Sequence, residues 1–213
     1  VATEVTAPTT ANRDYLFRRL HTLAGVIPVG LFLIEHIFTN ATATLGPKAY
    51  NNAVSFLQHI PFLHVVEFLF IFVPLIYHGV FGLYVAYTAG YNPRRYSWFR
   101  NQLFVWQRIT GIITFVFIIY HLATTRFSGN APTFHYVHTL LTHPFDFWFL
   151  IVGVVAATFH FSNGLWSFGV HWGITVGPRA QRISAIVLLT LFVVLALVGI
   201  DSAYAFVGKG IAL

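Results

Sequence analysis

The 213-residue sequence has no cysteine and no methionine, and only 8% of its residues are charged. Without cysteine the chain can hold no disulfide, no iron–sulfur cluster of its own and no thioether-attached haem. Without methionine, that axial haem ligand is absent too. Histidine is the transition-metal ligand that remains, and there are eleven. The shortage of charge is equally restrictive, because a composition that is 57% hydrophobic cannot cover a water-soluble globule with polar surface.

The apolar residues fall in long runs. Five of them, at about 20–41, 62–88, 102–124, 145–170 and 182–206, are long enough to cross a hydrocarbon core of about 30 Å at about 1.5 Å per residue. Each is expected to be a helix, because backbone polar groups find no water inside a bilayer. The expected fold is therefore an all-α integral membrane bundle occupying residues 13–213, solvated by lipid. The first twelve residues, VATEVTAPTTAN, are polar, lack the basic and apolar stretches of a secretory signal, and are read as a disordered tail.

The basic residues divide unevenly between the two ends of these spans. Nine of them (Arg13, Arg18, Arg19, Arg94, Arg95, Arg100, Arg108, Arg179 and Arg182) belong to one side, and Lys48, Arg126 and Lys209 to the other. The positive-inside bias places the N-terminus in the cytoplasm and the C-terminus outside. A net charge of +6 then needs no nucleic-acid partner, although the basic inner face suits a partner subunit.

Four histidines lie within the spans, one to each of the first four: His36 in LIEHIF, His78 in LIYHGV, His121 in IIYHLA and His160 in ATFHFS. One imidazole at membrane depth fits an interhelical hydrogen bond, but four in one small bundle point to ligation. Counting about 1.5 Å per residue from the inner ends puts His36 and His121 about 24 and 28 Å deep, and His78 and His160 about 15 Å deep. Two imidazoles at one depth suit the two faces of a porphyrin. His36 and His121 are accordingly expected to hold an outer haem b, and His78 and His160 an inner one, so that the first four helices enclose two stacked haems.

Glycines support this pairing. Gly82 and Gly164 each lie four residues after an inner histidine, where a porphyrin packed on the helix would require a missing side chain. Gly25 and Gly111 lie 11 and 10 residues before His36 and His121, at the inner level. Tight helix packing through small residues is the competing explanation. The anionic propionates of an inner haem would favour the basic end, where His21, Thr22 and Arg108 are the expected partners among donors that also include Arg18, Arg19 and Trp106.

These histidines and their surroundings resemble the membrane anchor of succinate:quinone oxidoreductases, specifically the single-chain, five-helix, di-haem cytochrome b type of certain succinate dehydrogenases and fumarate reductases. The similar stretches are FRRLHTLAGVIPVGLFLIEH, FVPLIYHGVFGLYVAYTA, FVWQRITGIITFVFIIYH and FHFSNGLWSFGVHWGITVGPRAQRIS, within residues 13–206. All four family haem-ligand positions are matched, by His36, His78, His121 and His160. The outer loops, around 41–60 and 127–144, resemble the family least. The resemblance implies an anchor for a flavoprotein subunit and an iron–sulfur subunit on the cytoplasmic face of a bacterial-type inner membrane. Electrons would pass from the iron–sulfur cluster to the inner haem, the outer haem and then membrane quinone, or in reverse, with menaquinone favoured over ubiquinone.

Quinone reduction takes up protons, and Glu67 recurs near the face of His78 about 16 Å farther outward, close to the expected outer haem. It is the expected proton-transfer residue. Glu35, beside His36, points about 100° away from it around the helix. His59, His64, His135, His138 and His143 gather on the outer side, where imidazoles can relay protons. The alternatives are another di-haem quinone-reactive cytochrome b, or a proton-coupled transporter with buried histidines. The cytochrome b of quinol:cytochrome c complexes places two ligands on each of two helices, unlike this chain. Transporters commonly show internal repeats, and no convincing repeat is visible in the sequence.

Overall fold

The computed structural model describes residues 10–90 and 99–208. Arg94, Arg95, Lys209, the side chain of Arg100 and positions 1–9 of the expected tail lie outside the described residues; positions 10–12, expected in that tail, are instead the first residues of a helix. The described residues are helical, with no strand among them.

Five stretches are long and apolar enough to cross a membrane: Arg13–Leu45, Leu63–Tyr87, Asn101–Thr124, Pro144–His171 and Pro178–Phe206. The first is made of α1 (Thr10–Val26) and α2 (Pro28–Ala41). Pro28 lacks an N–H and cannot close the ladder at this point. The bonds from Ile27 N to Leu23 O and from Leu31 N to Ile27 O carry the chain across the break, so α2 continues α1 with a kink.

The second span joins α4 (Leu63–Glu67) to α5 (Val73–Tyr87) through a π-helical turn at Phe68–Phe72. Pro74 follows directly. Its ring would collide with the carbonyl four residues earlier in a regular helix, and the widened turn relieves that collision.

The third span is α6 (Phe99–Thr124), the fourth α8 (Pro144–His171) and the fifth α9 (Pro178–Phe206). The first span and α9 both start earlier than their hydrophobic runs. For α9 the cause is Pro178, whose missing N–H would be unbonded in a first turn anyway. The PRAQ stretch is thus the opening turn of the helix, and the chain reverses before it, with Gly177 at φ 84°.

The outer loops are also ordered. After a 3-10 turn at Thr42–Leu45 come α3 (Pro47–Gln58) and, later, α7 (Phe134–Leu141). Ala43, Tyr50, Leu141, Phe147, Ala203 and Phe206 form a buried cluster that ties these pieces to α8 and α9. Asn51 Oδ1 accepts from the Phe134 amide at 2.8 Å, joining α3 to the start of α7.

Helix α8 is central, packing along both α6 and α9, while α1 lies along α5 and α2 along α9. A second core cluster, Ile37, Phe161 and Leu195, fills the seam between α2, α8 and α9. Close approach there depends on missing side chains. A Cβ on Gly30 would lie 2.3 Å from the Phe161 ring, and one on Gly199 would lie 2.7 Å from Val154. Leu31, Ile76, Val80, Ile119, Val152, Ile186 and Leu197 are exposed on the outer faces of the spans, as expected of residues solvated by lipid tails.

Candidate haem site

The four intramembrane histidines meet in two pairs. The rings of His36 (α2) and His121 (α6) have centroids 5.8 Å apart, and those of His78 (α5) and His160 (α8) have centroids 6.0 Å apart. The ring planes are close to perpendicular in both pairs, at 79° and 78°. These are the partners that depth along the helices selects.

The arrangement fits haem ligation on three observations. First, an imidazole nitrogen bonds a transition metal at about 2 Å, so two rings on one metal have centres about 6 Å apart. Second, the inner rings are oriented for coordination. His78 Nδ1 donates to the His21 carbonyl at 2.9 Å, and His160 Nδ1 donates to the Gln107 carbonyl at 2.9 Å. With the proton fixed on Nδ1, the lone pair of each ring sits on Nε2, where a metal would bind, and the carbonyl on Nδ1 is the usual second partner of a metal-bound histidine; the Gln107 amide nitrogen lies 3.5 Å from His160 Nε2. Third, both inner rings rest in glycine cradles. A Cβ on Gly25 would lie 2.3 Å from His78 Cε1, and one on Gly111 would lie 2.8 Å from His160 Cε1.

Gly82 and Gly164 face side chains that stand beside the inner histidines. Their nearest side-chain atoms are His21 Nε2 at 3.1 Å and Gln107 Nε2 at 3.3 Å from an added Cβ. They leave room for those two side chains, which in turn border the inner histidines. His21 stacks flat on His78, with centroids 4.2 Å apart and planes 2° from parallel. Its Nε2 is buried without a hydrogen-bond partner among the described residues.

Thr22 donates to the Arg19 carbonyl and accepts from Trp172 Nε1 at 3.2 Å. Arg19 lies 4.5 Å above the Trp172 ring, which brings the start of the first span to the end of α8. Arg108 folds back along α6, its Nη1 donating to the Phe104 carbonyl at 2.8 Å. The outer histidines are lined by aromatics. Phe117 stacks on His121 with centroids 5.3 Å apart, and Gly153 makes room for it, since a Cβ there would lie 2.2 Å from the Phe117 ring. Phe32 lies 5.3 Å from His36.

Glu67 accepts from Arg126 Nη2 at 2.7 Å, with His64 Nδ1 3.6 Å from the same oxygen. Arg126 follows His121 by five residues, which puts this group just outside the outer pair. Glu35 accepts from the Thr39 hydroxyl one turn along α2. The outer histidines do not form a cluster. His138 Nδ1 donates to the Phe206 carbonyl at 2.6 Å inside the cap, His59 Nδ1 donates to the Ser55 carbonyl at 2.6 Å within its own helix, and His64 sits with Glu67. No group of three or more metal-ligating side chains occurs among the described residues.

Two residues bordering the inner pair escape a search for histidines. Gln107 Nε2 donates to the His160 carbonyl at 3.0 Å, and its Oε1 accepts from Asn163 Nδ2 at 2.7 Å. The available signal was spacing: Gln107 precedes Gly111 by four residues, as His21 precedes Gly25.

Residues 90–200 match the family described as succinate dehydrogenase/fumarate reductase transmembrane subunit. The succinate dehydrogenase cytochrome b558 subunit of Bacillus subtilis (strain 168) is 51% identical over 199 residues, which cover 92% of this chain and 98% of that protein. Five spans, paired intramembrane histidines and near-complete overlap with that relative lead to one conclusion: the chain belongs to the transmembrane cytochrome b subunits of succinate dehydrogenases and fumarate reductases.

Proposed function

We propose that this chain is a di-haem electron-transfer anchor, carrying His36 and His121 as axial ligands of an outer haem b and His78 and His160 as those of an inner one. The observation that carries the reading is the meeting of four histidines from four spans in two pairs, at 5.8 and 6.0 Å. The cytochrome in the name of the Bacillus subtilis relative supports it. When bound, the two haems supply one-electron carriers between an iron–sulfur subunit and membrane quinone.

The chain's own residues hold and tune these groups. The carbonyls of His21 and Gln107 fix the inner rings in the tautomer that leaves Nε2 unprotonated. His21, whose Nε2 is buried without a partner among the described residues, and Arg108 stand at the basic end and would hold the inner propionates; Thr22 would join them only by giving up its bond to the Arg19 carbonyl, and Gly82 and Gly164 would open the helix surface at that level. Glu67, held by Arg126 beside the outer pair, exchanges protons at the quinone site, with menaquinone the favoured substrate. Succinate itself binds elsewhere, on the flavoprotein subunit. That subunit and the iron–sulfur subunit dock on the basic, cytoplasmic end of the spans, and the α3 and α7 cap faces outward.

The test is purification of the assembled complex in mild detergent, with identification of the attached subunits, succinate-dependent quinone reduction and a reduced-minus-oxidised visible spectrum. The expected result is a b-type α-band at two haems per chain. His78→Ala and His160→Ala should each remove one haem, and His36→Ala and His121→Ala the other. The absence of a b-type band from the intact complex would refute the reading.

A further inference from the structure

The inner pair is held by one device used twice. On the first span His21 precedes Gly25 by four residues, and on α6 Gln107 precedes Gly111 by four. Each of these helices gives a carbonyl to the Nδ1 of an inner histidine, and each glycine cradles that histidine's ring. Each histidine is then followed four residues later by a glycine, Gly82 or Gly164, against which the side chain of His21 or Gln107 lies. The two half-sites differ in what stands at the first position and in the residue three after the histidine, Phe81 on one side and Asn163 on the other. His21 presents a ring stacked on His78. Gln107 presents an amide, and that amide is bonded on both sides.

The Gln107 carboxamide closes a ring of bonds between α6 and α8. It donates to the His160 carbonyl at 3.0 Å while its own backbone carbonyl receives the His160 Nδ1 proton at 2.9 Å. Asn163, one turn after His160, donates to Gln107 Oε1 at 2.7 Å and to the Leu103 carbonyl at 3.2 Å. The Gln107 amide nitrogen also passes 3.5 Å from His160 Nε2. Within a bilayer few other partners compete for these groups, so the amides fix how α6 and α8 sit against each other at this level.

We propose that Gln107 and Asn163 are positioning residues for the inner haem: their amides hold the Gln107 carbonyl on His160 Nδ1 and thereby set the basicity of that axial ligand. This rests on His160 being a haem ligand. A carbonyl bonded to Nδ1–H makes an imidazole a stronger donor to the metal and favours the oxidised, more positive iron. Loosening the clamp weakens that bond, so the inner haem would become easier to reduce while the outer haem would not change, because its α6 histidine, His121, lies about four helical turns from Gln107.

The experiment is redox titration of both haems in the assembled complex, with haem content and low-temperature spectra of the oxidised state, for wild type, Gln107→Leu, Asn163→Leu and His160→Ala. Both leucine variants are expected to retain two haems. The inner haem's reduction equilibrium should shift toward the reduced form by about tenfold, about 59 mV for a one-electron couple, with the outer haem unmoved. Asn163→Gln, which keeps the donor, should lie closer to wild type than Asn163→Leu. Two haems with an unshifted inner potential would overturn the proposal and leave the ligand assignment standing. Equal shifts in both haems would also overturn it, by showing a general packing effect. If Gln107→Leu fails to assemble, Asn163→Leu decides by the same criteria. Retention of both haems in His160→Ala would overturn the ligand reading itself, and the proposal with it.

Discussion

An imidazole buried in a bilayer needs three things to serve as an axial ligand: a partner at the right distance, a fixed proton and room. His160 has all three, from His78, Gln107 and Gly111. The last is the easiest to remove. An added Cβ at Gly111 already falls 2.8 Å from the ring, so Gly111→Val must displace either His160 or the α6 backbone, an overpacking cost of about 1–3 kcal/mol. The expected result is loss of the inner haem with the outer one retained, read from the visible spectrum. Glu67 presents the opposite case. Its bond to Arg126 is partly exposed, with the arginine side chain 44% accessible, and such pairs contribute about 0.2–1 kcal/mol at most. Glu67→Gln should therefore leave assembly and both haem spectra intact. A severalfold fall in quinone turnover would then reflect lost proton transfer, and unchanged turnover would remove Glu67 from the mechanism.

Among the elements, α9 carries no intramembrane histidine yet packs along both α2 and α8. With Leu195 it completes the seam formed by Ile37 and Phe161, the residues next to His36 and His160, so its contribution is to hold two histidine-bearing helices in register. The outer cap does similar work for the connections. Tyr50 is 4% exposed in that cluster, and burial pushes its phenol from 10.0 up to about 12. Below pH 10 the phenol is neutral whether the cap is closed or open, and its contribution is complete. Above pH 10 the opened cap ionises first, so stability falls as pH rises toward about 12. Thermal unfolding followed from pH 8 upward should show this loss in the wild type and a flatter profile in Tyr50→Phe. The helical spans were legible as hydrophobic runs, but α3 and α7 were not. They are short and amphipathic, and their apolar residues acquire meaning only against a cluster that includes Phe206, which is far from both in sequence.

For the whole molecule, the absence of cysteine makes the membrane orientation directly measurable. With the N-terminus cytoplasmic, Lys48→Cys should react with an impermeant thiol reagent on intact cells, and Arg182→Cys only after permeabilisation; the reverse pattern would invert the topology. Sequence by itself determined the lipid solvent, the number of spans and the two levels of histidine, because hydrophobic length and a fixed rise per residue are properties of each helix alone. Depth could also select which histidines share a level. It could not show that they meet, which depends on how the helices rotate and tilt. Nor could it show that Gly25 and Gly111 cradle the rings, that Gly82 and Gly164 make room for His21 and Gln107, or that one histidine-holding arrangement occurs on both sides of the inner pair. His21 and Gln107 are chemically unlike, so their equivalence left almost no trace in the sequence. It becomes visible only through the two backbone carbonyls that take the Nδ1 protons of His78 and His160, contacts made by atoms common to every residue and decided by tertiary packing.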